Sequence, residues 1–543
     1  MCGIFAILNN KYDSVKTHRL FMKGAGRGPD NNSLNNYKGL VGEKYDIDFG
    51  FHRLAINGYG DESSDQPFQI NNCMLICNGE IYNWKYLYKI ANVTPGTKSD
   101  CEVIIHLYKK YGIHQTLRML DGVFAFVLFD IKKKYLFAAR DLFGVRPLFV
   151  GEGDVSKPKP IMYGFASEMK QLASEGMNTI RQLEPGTFAT FMWDDNLYKG
   201  SFQFLENKPF LDIPSIVNDR FNLIENYYDE VYDSLCQAVE KRVDNTDRDI
   251  CCLLSGGLDS SLITSLVNRY YRRKFPTKKL QTWSIGMKGS EDLKYAQMVA
   301  DYVGTDHHSV ELSQKEFLEA IPRVIYDIES YDTTTVRASV GNWLISKYIR
   351  AGSEAKVVFN GDGSDEVTGG YMYMHAAPDA VEFDMECRRL LKDIHFFDVL
   401  RSDRSISAHG LEARTPFLDK HFVHTYLSIP PDIRFHVNHG VCEKYILRKA
   451  FDGRKLLPKQ VLWRTKEAFS DGVSSEKESW FETIQKHHTD EKKYYRSLFW
   501  NYFQGYENVV PYFWMPRFVE ATDASARTLD IYKKVKHDTP TLD

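Results

Sequence analysis

At 543 residues the chain is too long for one hydrophobic core, so two or more domains are expected. A hydrophobic content of 43% fits a water-soluble protein, and a formal net charge of only −3 leaves no basic field of the kind nucleic-acid binders carry. No apolar run approaches membrane-spanning length, no basic-then-apolar leader opens the chain, and nine scattered cysteines without paired Cys-x-x-Cys units argue against disulfides and structural zinc, which together point to the cytosol.

The chain opens Met1-Cys2-Gly3-Ile4. Removal of Met1, which a small second residue permits, would place the α-amine beside the Cys2 thiol, so that one group serves the other as base without a histidine. Arg27-Gly28-Pro29-Asp30 is a turn signature, and Arg53 stands further on. The apolar strand 73–77 runs into Asn78-Gly79-Glu80. Alone, Asn-Gly also reads as a hairpin turn and Arg53 as a surface ion pair. Cys73 and Cys77 share one strand face but lie too far apart for one metal, and they read as core. Ser99-Asp100-Cys101-Glu102 is expected to begin a helix, with both acids in its first turn. Strands are expected at 122–130, 134–140, 147–151 and 161–166, with a last one at 188–193. Residues 200 to about 223 lack clear periodicity and carry Pro209 and Pro214, which reads as an extended linker.

The second part turns on Leu253-Leu254-Ser255-Gly256-Gly257-Leu258-Asp259-Ser260-Ser261. A helix at 226–243 leads into a buried parallel strand at 250–254, and Leu262, Ile263, Leu266, Val267 and Tyr270 follow at helical spacing. Strand, glycine-rich turn and helix N-terminus make an anion site, because backbone approaches closely and unpaired N–H groups point at the ligand. Asp259 suits either a helix cap or a metal ion. The motif is neither a Walker loop nor Gly-x-Gly-x-x-Gly. A second strand, 280–285, places Ile285 at a carboxyl end, where an adenine ring rests on apolar groups. Thr333, Thr334 and Thr335 gather hydroxyls beside Arg337, and a third strand, 356–359, ends in Asn360-Gly361-Asp362-Gly363-Ser364-Asp365-Glu366. One turn presents N–H donors and the other carboxylates, a pairing that suits a Mg²⁺-bound nucleoside triphosphate.

Cys2-Gly3-Ile4, Arg27-Gly28-Pro29-Asp30, Asn78-Gly79-Glu80 and Ser99-Asp100 resemble the N-terminal-nucleophile glutaminase domain of class II glutamine amidotransferases. The loop at 253–261, residues 360–366, Arg401, 407–419, 443–448, 463–467, 513–516 and 524–529 resemble the ATP-pyrophosphatase domain of the glutamine-hydrolysing asparagine synthetase family. The resemblance implies an α/β protein: an αββα glutaminase sandwich over 1–207, then a parallel-sheet, PP-loop (adenine nucleotide α-hydrolase-like) domain over 208–543. It implies that Cys2 attacks the glutamine amide, with Asn78 and Gly79 as oxyanion donors. Arg53, Leu54, Ala55, Ile56, Asn57, Glu80 and Asp100 would complete the glutamine pocket, Arg53 on the α-carboxylate and Asp100 on the ammonium. Leu254, Ser255, Gly256, Gly257, Asp259, Ser260, Ile285, Asn360 and Gly361 would hold ATP, and Thr334, Thr335 and Arg337 would contact aspartate or phosphate. Asp259 and Asp365 would bind Mg²⁺, and Lys444 and Asp362 would act in adenylation. Gly26 and Phe51 stand where the family often has histidine, and Asp362 where it commonly has glutamate.

The activity implied is ATP-dependent synthesis of L-asparagine from L-aspartate, using ammonia from L-glutamine, through β-aspartyl-AMP, with AMP, pyrophosphate and glutamate as the other products. Its partners are these small molecules, with no nucleic acid or membrane, and a homodimer is admitted. A β-lactam-synthetase-like adenylating enzyme would not need Cys2, Arg53 and Asp100, and an inactive glutamine or nucleotide sensor would not need both constellations intact.

Overall fold

The computed structural model describes residues 1–37, 47–153, 160–213, 217, 223–440, 442–466, 472–474 and 478–530. The chain resolves into two compact units, Met1–Asp212 with Ser407–Leu411 and Trp500–Pro511, and Ile213–Ile406 with Glu412–Phe499 and Tyr512–Asp543.

The first unit stacks two sheets. Its strands are β1 (Gly3–Leu8), β2 (Asn31–Asn36), β3 (Ile47–Arg53), β4 (Phe68–Ile70), β5 (Cys73–Ile81), β6 (Gly122–Asp130), β7 (Tyr135–Arg140), β8 (Phe149–Gly153), β9 (Met162–Ala166), β10 (Thr179–Gln182), β11 (Thr187–Asp194) and β12 (Ser201–Pro209). One sheet runs β10-β8-β9-β1-β3-β2 and the other β12-β11-β7-β6-β5-β4. Side chains alternate across a strand, so β5 buries Met74 and Ile76 between the sheets, against Ile4, Ala6 and Leu8 of β1. Its odd-numbered Cys73, Leu75 and Cys77 face the other way, under Leu87, Leu107 and Tyr108 of helices Trp84–Ala91 and Val103–Met119. Both faces are covered, which is why β5 reads as an unbroken apolar run. On the outer face of the first sheet, Phe21 of helix Ser14–Met22 meets Phe5 at 5.9 Å between ring centres. The layers are helix, sheet, sheet, helix. Cys73 and Cys77 are buried core residues, as their strand position predicts.

Two local expectations are corrected. Ser201–Pro209 is a strand paired antiparallel with β11, where a linker was expected. As an edge strand with its far half exposed it carries polar residues such as Gln203, Glu206, Asn207 and Lys208, which hide the alternation. Of the rest of the expected linker, 214–216 and 218–222 lie outside the described residues. The helix after Ser99 begins only at Val103. Glu102 is drawn instead into local bonds, accepting from Gly96 N and Thr97 N, while Asp100 reaches back to β5 and accepts from Ile81 N.

In the second unit β13 (Ile250–Leu253), β14 (Gln281–Met287), β15 (Asp306–Leu312), β16 (Val357–Phe359) and β17 (Glu412–Arg414) form one sheet in the order β15-β14-β13-β16-β17. All four pairings are parallel. The chain leaves β13 for β14 on one side and returns to β16 on the other, so a crevice opens beyond the carboxyl end of β13. That switch point is where the second site lies.

Candidate active sites

In the first unit Cys2 immediately precedes β1 and is half-buried, its thiol donating to Leu54 O at 3.5 Å. The α-amine of the encoded chain belongs to buried Met1, donating to Leu411 O at 3.5 Å, so the amine–thiol pair needs Met1 removed. Asp30 of the Arg27–Asp30 turn accepts from Ala55 N at 2.8 Å and donates its own N–H to Arg53 O at 3.0 Å. Gly28 is required there, since a Cβ would stand 2.3 Å from the carbonyl of His52. His52 is stacked on Phe21 at 3.9 Å, and burial depresses its pKa to about 4.

Asn78 and Glu80 share the face of β5 that carries Met74 and Ile76, towards β1. The Asn78 amide is 1% exposed, and neither its nitrogen nor its oxygen has a hydrogen-bond partner among the described residues. A buried amide left unpaired costs about 1–3 kcal/mol, a cost that calls for an explanation such as an awaited ligand. The Asn-Gly pair lies inside a strand and is no hairpin turn. Gly79 is a close approach, its virtual Cβ falling 2.7 Å from Val123 O. Asn57 donates to Glu80 at 2.8 Å, and Asp100 accepts from Ile81 N at 2.7 Å. Buried Leu54, Ala55 and Ile56 complete the connection from Cys2 to Asn57. Arg53 is more committed than expected. Three of its five donors go to Gly58 O, Asp61 O and Asp65 at 2.7, 3.0 and 2.6 Å, leaving two without a partner among the described residues.

In the second unit Leu254, Ser255, Gly257, Asp259, Ser260, Ile285, Thr334, Thr335, Asn360, Gly361, Asp362, Asp365 and Lys444 line one cavity. Helix Leu258–Lys274 starts at Gly257 without a side-chain cap, so Asp259 is no cap. Ser255 and Ser260 hydroxyls meet at 3.0 Å, folding the turn over the helix end. Gly256 lies behind the lining, with φ +76° and its virtual Cβ 2.5 Å from Ala296 N. Asp362 accepts from Arg401 at 2.7 Å by one oxygen, while its other oxygen is buried without a hydrogen-bond partner among the described residues. Burial raises its pKa, against the pull of Arg401.

Lys444 is 1% exposed, not a solvated helix lysine, and lies 2.6 Å from both Asp259 and Asp365. It occupies the left-handed region, φ +61°, a strained backbone for a non-glycine residue. Gly370 makes room for it, since a Cβ there would fall 1.9 Å from Lys444 Cε. Lys466 reaches Asp365 at 2.6 Å and Asp259 at 3.8 Å. Burial opposes charge on Asp365, but these two ammoniums outweigh it and hold the carboxyl below the usual range. Asp259 and Asp365, with the Ser364 hydroxyl 2.8 Å from Asp259, offer only hard oxygen donors, which fit Mg²⁺. Among the described residues no group of three acidic, histidine or cysteine side chains gathers to hold a metal ion.

Arg337 departs from its expected place. It does not line the cavity; its guanidinium is spent on Glu491 and Asp523, Nη1 and Nη2 meeting the two Asp523 oxygens at 2.7 and 2.8 Å. The sequence shows one fixed cation beside a threonine run, but not the two carboxylates more than a hundred and fifty residues on. Thr335 donates to Asp332 at 2.7 Å as part of a helix start, whereas the Thr334 hydroxyl has no hydrogen-bond partner among the described residues. Lys466, Arg401 and the Arg464–Asp292 pair at 2.9 Å also line the cavity, and no local sequence pattern assigns them a role. Lys466 stood in a recognised motif, yet nothing local tells that it meets Asp365. Glu467 lies outside the described residues.

Residues 1–207 match a family model described as a glutamine amidotransferase domain, and residues 230–385 and 376–508 match one described as asparagine synthase. The chain is 40% identical to asparagine synthetase [glutamine-hydrolyzing] of Gallus gallus, covering 98% of this chain and 99% of that one. The same-named proteins of Bos taurus and Homo sapiens are 40% and 39% identical, with the same coverage.

Proposed function

The chain belongs to the glutamine-hydrolysing asparagine synthetase family, and from that premise we propose how its residues divide the work. The reaction makes L-asparagine from L-aspartate, ATP and L-glutamine. In the first unit Cys2, freed of Met1, attacks the glutamine side-chain amide. Asn78 and the Gly79 N–H stabilise the oxyanion, Asp100 and Glu80 take the ammonium end, and the remaining donors of Arg53 take the α-carboxylate. Hydrolysis of the thioester returns glutamate, with ammonia already released.

In the second unit an oxygen of the aspartate β-carboxylate bonds to the α-phosphorus of ATP as the bond to pyrophosphate breaks, giving β-aspartyl-AMP. Ammonia then attacks the acyl carbon, and AMP leaves with the electron pair. The Ser255–Ser260 turn receives the pyrophosphate, Leu254, Ile285, Asn360 and Gly361 hold the nucleoside, and Thr334 and Asp362 face the aspartate. Mg²⁺ bound at Asp259 and Asp365 would offset charge developing on the phosphates. Lys444, held at the same two carboxylates, is the cation that turns to the α-phosphate in the transition state.

The observation that carries this reading is the meeting of two turns in one cavity, an N–H-rich turn after β13 and a carboxylate turn after β16, bridged by Lys444. No described helix is long and apolar enough to cross a membrane, and we place the reaction in the cytosol. One assay tests the whole reading: aspartate and MgATP supplied with either glutamine or ammonia, following AMP, pyrophosphate and asparagine. Cys2→Ala abolishes the glutamine-driven reaction and spares the ammonia-driven one, and Asp259→Asn stops both. Loss of both with Cys2→Ala defeats the division of labour, and absence of asparagine in either case with the unmodified chain defeats the function.

A further inference from the structure

Residues 513–529 contribute Trp514, Pro516, Ala524, Ala526 and Leu529 to the cavity that holds Asp362 and Lys444. They lie beyond residue 508, where the asparagine synthase family match ends. Within them the described regular structure is a single 3₁₀ turn, Ala526–Thr528, so this wall is held by tertiary bonds instead of a ladder of its own. Two of those bonds come from one helix, Thr333–Gly352. Asp332, its fully buried N-cap, accepts the Trp514 N–H at 2.7 Å. Arg337, 4% exposed and in the second turn, takes Asp523 in a two-pronged grip and is itself fixed by Glu491 at 2.9 Å through Nε. Asp523 also accepts Ser525 N at 2.8 Å, tying the grip to the cavity residues that follow it. The same helix end presents Thr334 to the cavity, so wall and hydroxyl are set by one element.

We propose that residues 513–529 are the water-excluding wall of the adenylate site and that Arg337 is the positioning residue that holds it. The inference rests on the adenylate chemistry proposed above. β-Aspartyl-AMP is a mixed anhydride, open to attack by water, a weaker nucleophile than ammonia but a far more abundant one. In that side reaction a water oxygen bonds to the acyl carbon, the bond from that carbon to the phosphate oxygen breaks, AMP takes the electron pair, and the protons pass to solvent. Aspartate is regenerated and one ATP is wasted. The apolar lining, with Trp514 packed at 5.2 Å on Tyr371, is the surface that keeps this water out.

The test is the ratio of AMP to asparagine formed by the full chain with aspartate, MgATP and saturating ammonia. The unmodified chain forms the two in equal amounts. Arg337→Gln raises the ratio by roughly threefold or more, Arg337→Lys falls between, and Asp523→Asn, altering a partly exposed partner that a folded chain tolerates, raises it as well. Hydrogen exchange at the Trp514 amide accelerates in the same order. AMP and asparagine falling together at a constant ratio in Asp523→Asn, or an unchanged Trp514 amide, would overturn the clamp. Absence of aspartate-dependent AMP from the unmodified chain overturns the adenylate reading, a result that is read before any variant is made.

Discussion

Lys444 grips Asp259 through both carboxylate oxygens, its ammonium standing 2.8 Å from Oδ1 and 2.6 Å from Oδ2. The pair joins the helix that follows β13 to the loop before Tyr445, and Asp365 extends it to the turn after β16. Two carboxylates and two ammoniums thus balance in a buried site before any nucleotide arrives. On the reading proposed above, a nucleotide with its cation would exchange partners within this set instead of bringing uncompensated charge into it.

Lys444→Met leaves Asp259 and Asp365 facing each other with Lys466 alone between them. Breaking a buried pair from one side costs about 3–5 kcal/mol, so urea unfolding of the second unit shifts by that order. Aspartate-dependent AMP formation falls by roughly a hundredfold or more, while glutamate release at Cys2 persists. Loss of glutamate release to the same degree would show that the variant had simply failed to fold.

Asn78→Ala removes an amide that pairs with nothing else among the described residues, so the fold gains or loses little. The kcat for glutamine hydrolysis drops by roughly a hundred- to a thousandfold with a smaller change in KM. Ammonia-driven asparagine formation is unchanged. A thermal midpoint far below that of the unmodified chain would instead mark Asn78 as a structural residue.

His52 supplies a pH signature in the first unit. Its folded pKa, about 4, lies below the unfolded value of 6.5, so the unfolded chain binds the extra proton between those limits. The stabilisation is fully present above pH 6.5 and is lost as pH falls through the folded pKa, amounting to about 3 kcal/mol across the window. Urea midpoints measured from pH 7 to pH 4 therefore decline, and His52→Gln flattens that slope whatever it does to the absolute midpoint. An equal slope in the variant would assign the decline to other groups.

Gly257 and Gly361 separate space for ligand from space for fold. At Gly257 a Cβ would meet only Ser255 Oγ, at 3.5 Å, whereas at Gly361 it would stand 2.8 Å from Asp259 Cβ and Ser260 N. Gly257→Ala keeps its thermal midpoint but raises the KM for ATP roughly tenfold, because the backbone can no longer approach phosphate closely. Gly361→Ala displaces the Asp259 turn and lowers both stability and AMP formation. A Gly257→Ala enzyme with an unaltered KM would remove that turn from the nucleotide.

Much of this was legible in the sequence where chemistry and local pattern coincide. Ile250–Leu254 followed by Ser-Gly-Gly reads as strand, anion turn and helix, and Cys73–Cys77 as an apolar strand with its cysteines in the core. What escaped was set by partners distant in the chain. β12 is polar because one side faces solvent, and β15, with exposed Asp306 and Glu311, carries too little apolar alternation to stand out. Arg337 looked like a phosphate ligand because a buried arginine and a ligand-binding arginine share one local signature. Only the positions of Glu491 and Asp523 tell them apart.

The pairing of β5 with β6 matches Met74 to Phe129, Ile76 to Val127 and Asn78 to Ala125 in one uninterrupted register. The ladder that buries the first two residues therefore also aims the third. Inserting one residue between Cys73 and Asn78 would turn the amide away from β1 and push Met74 or Ile76 out of the inter-sheet core at the same stroke. Misregistered chains would be lost to degradation or aggregation, not retained as folded, idle enzyme. Quality control over the core thereby doubles as quality control over the placement of Asn78, the oxyanion donor in the reading proposed above.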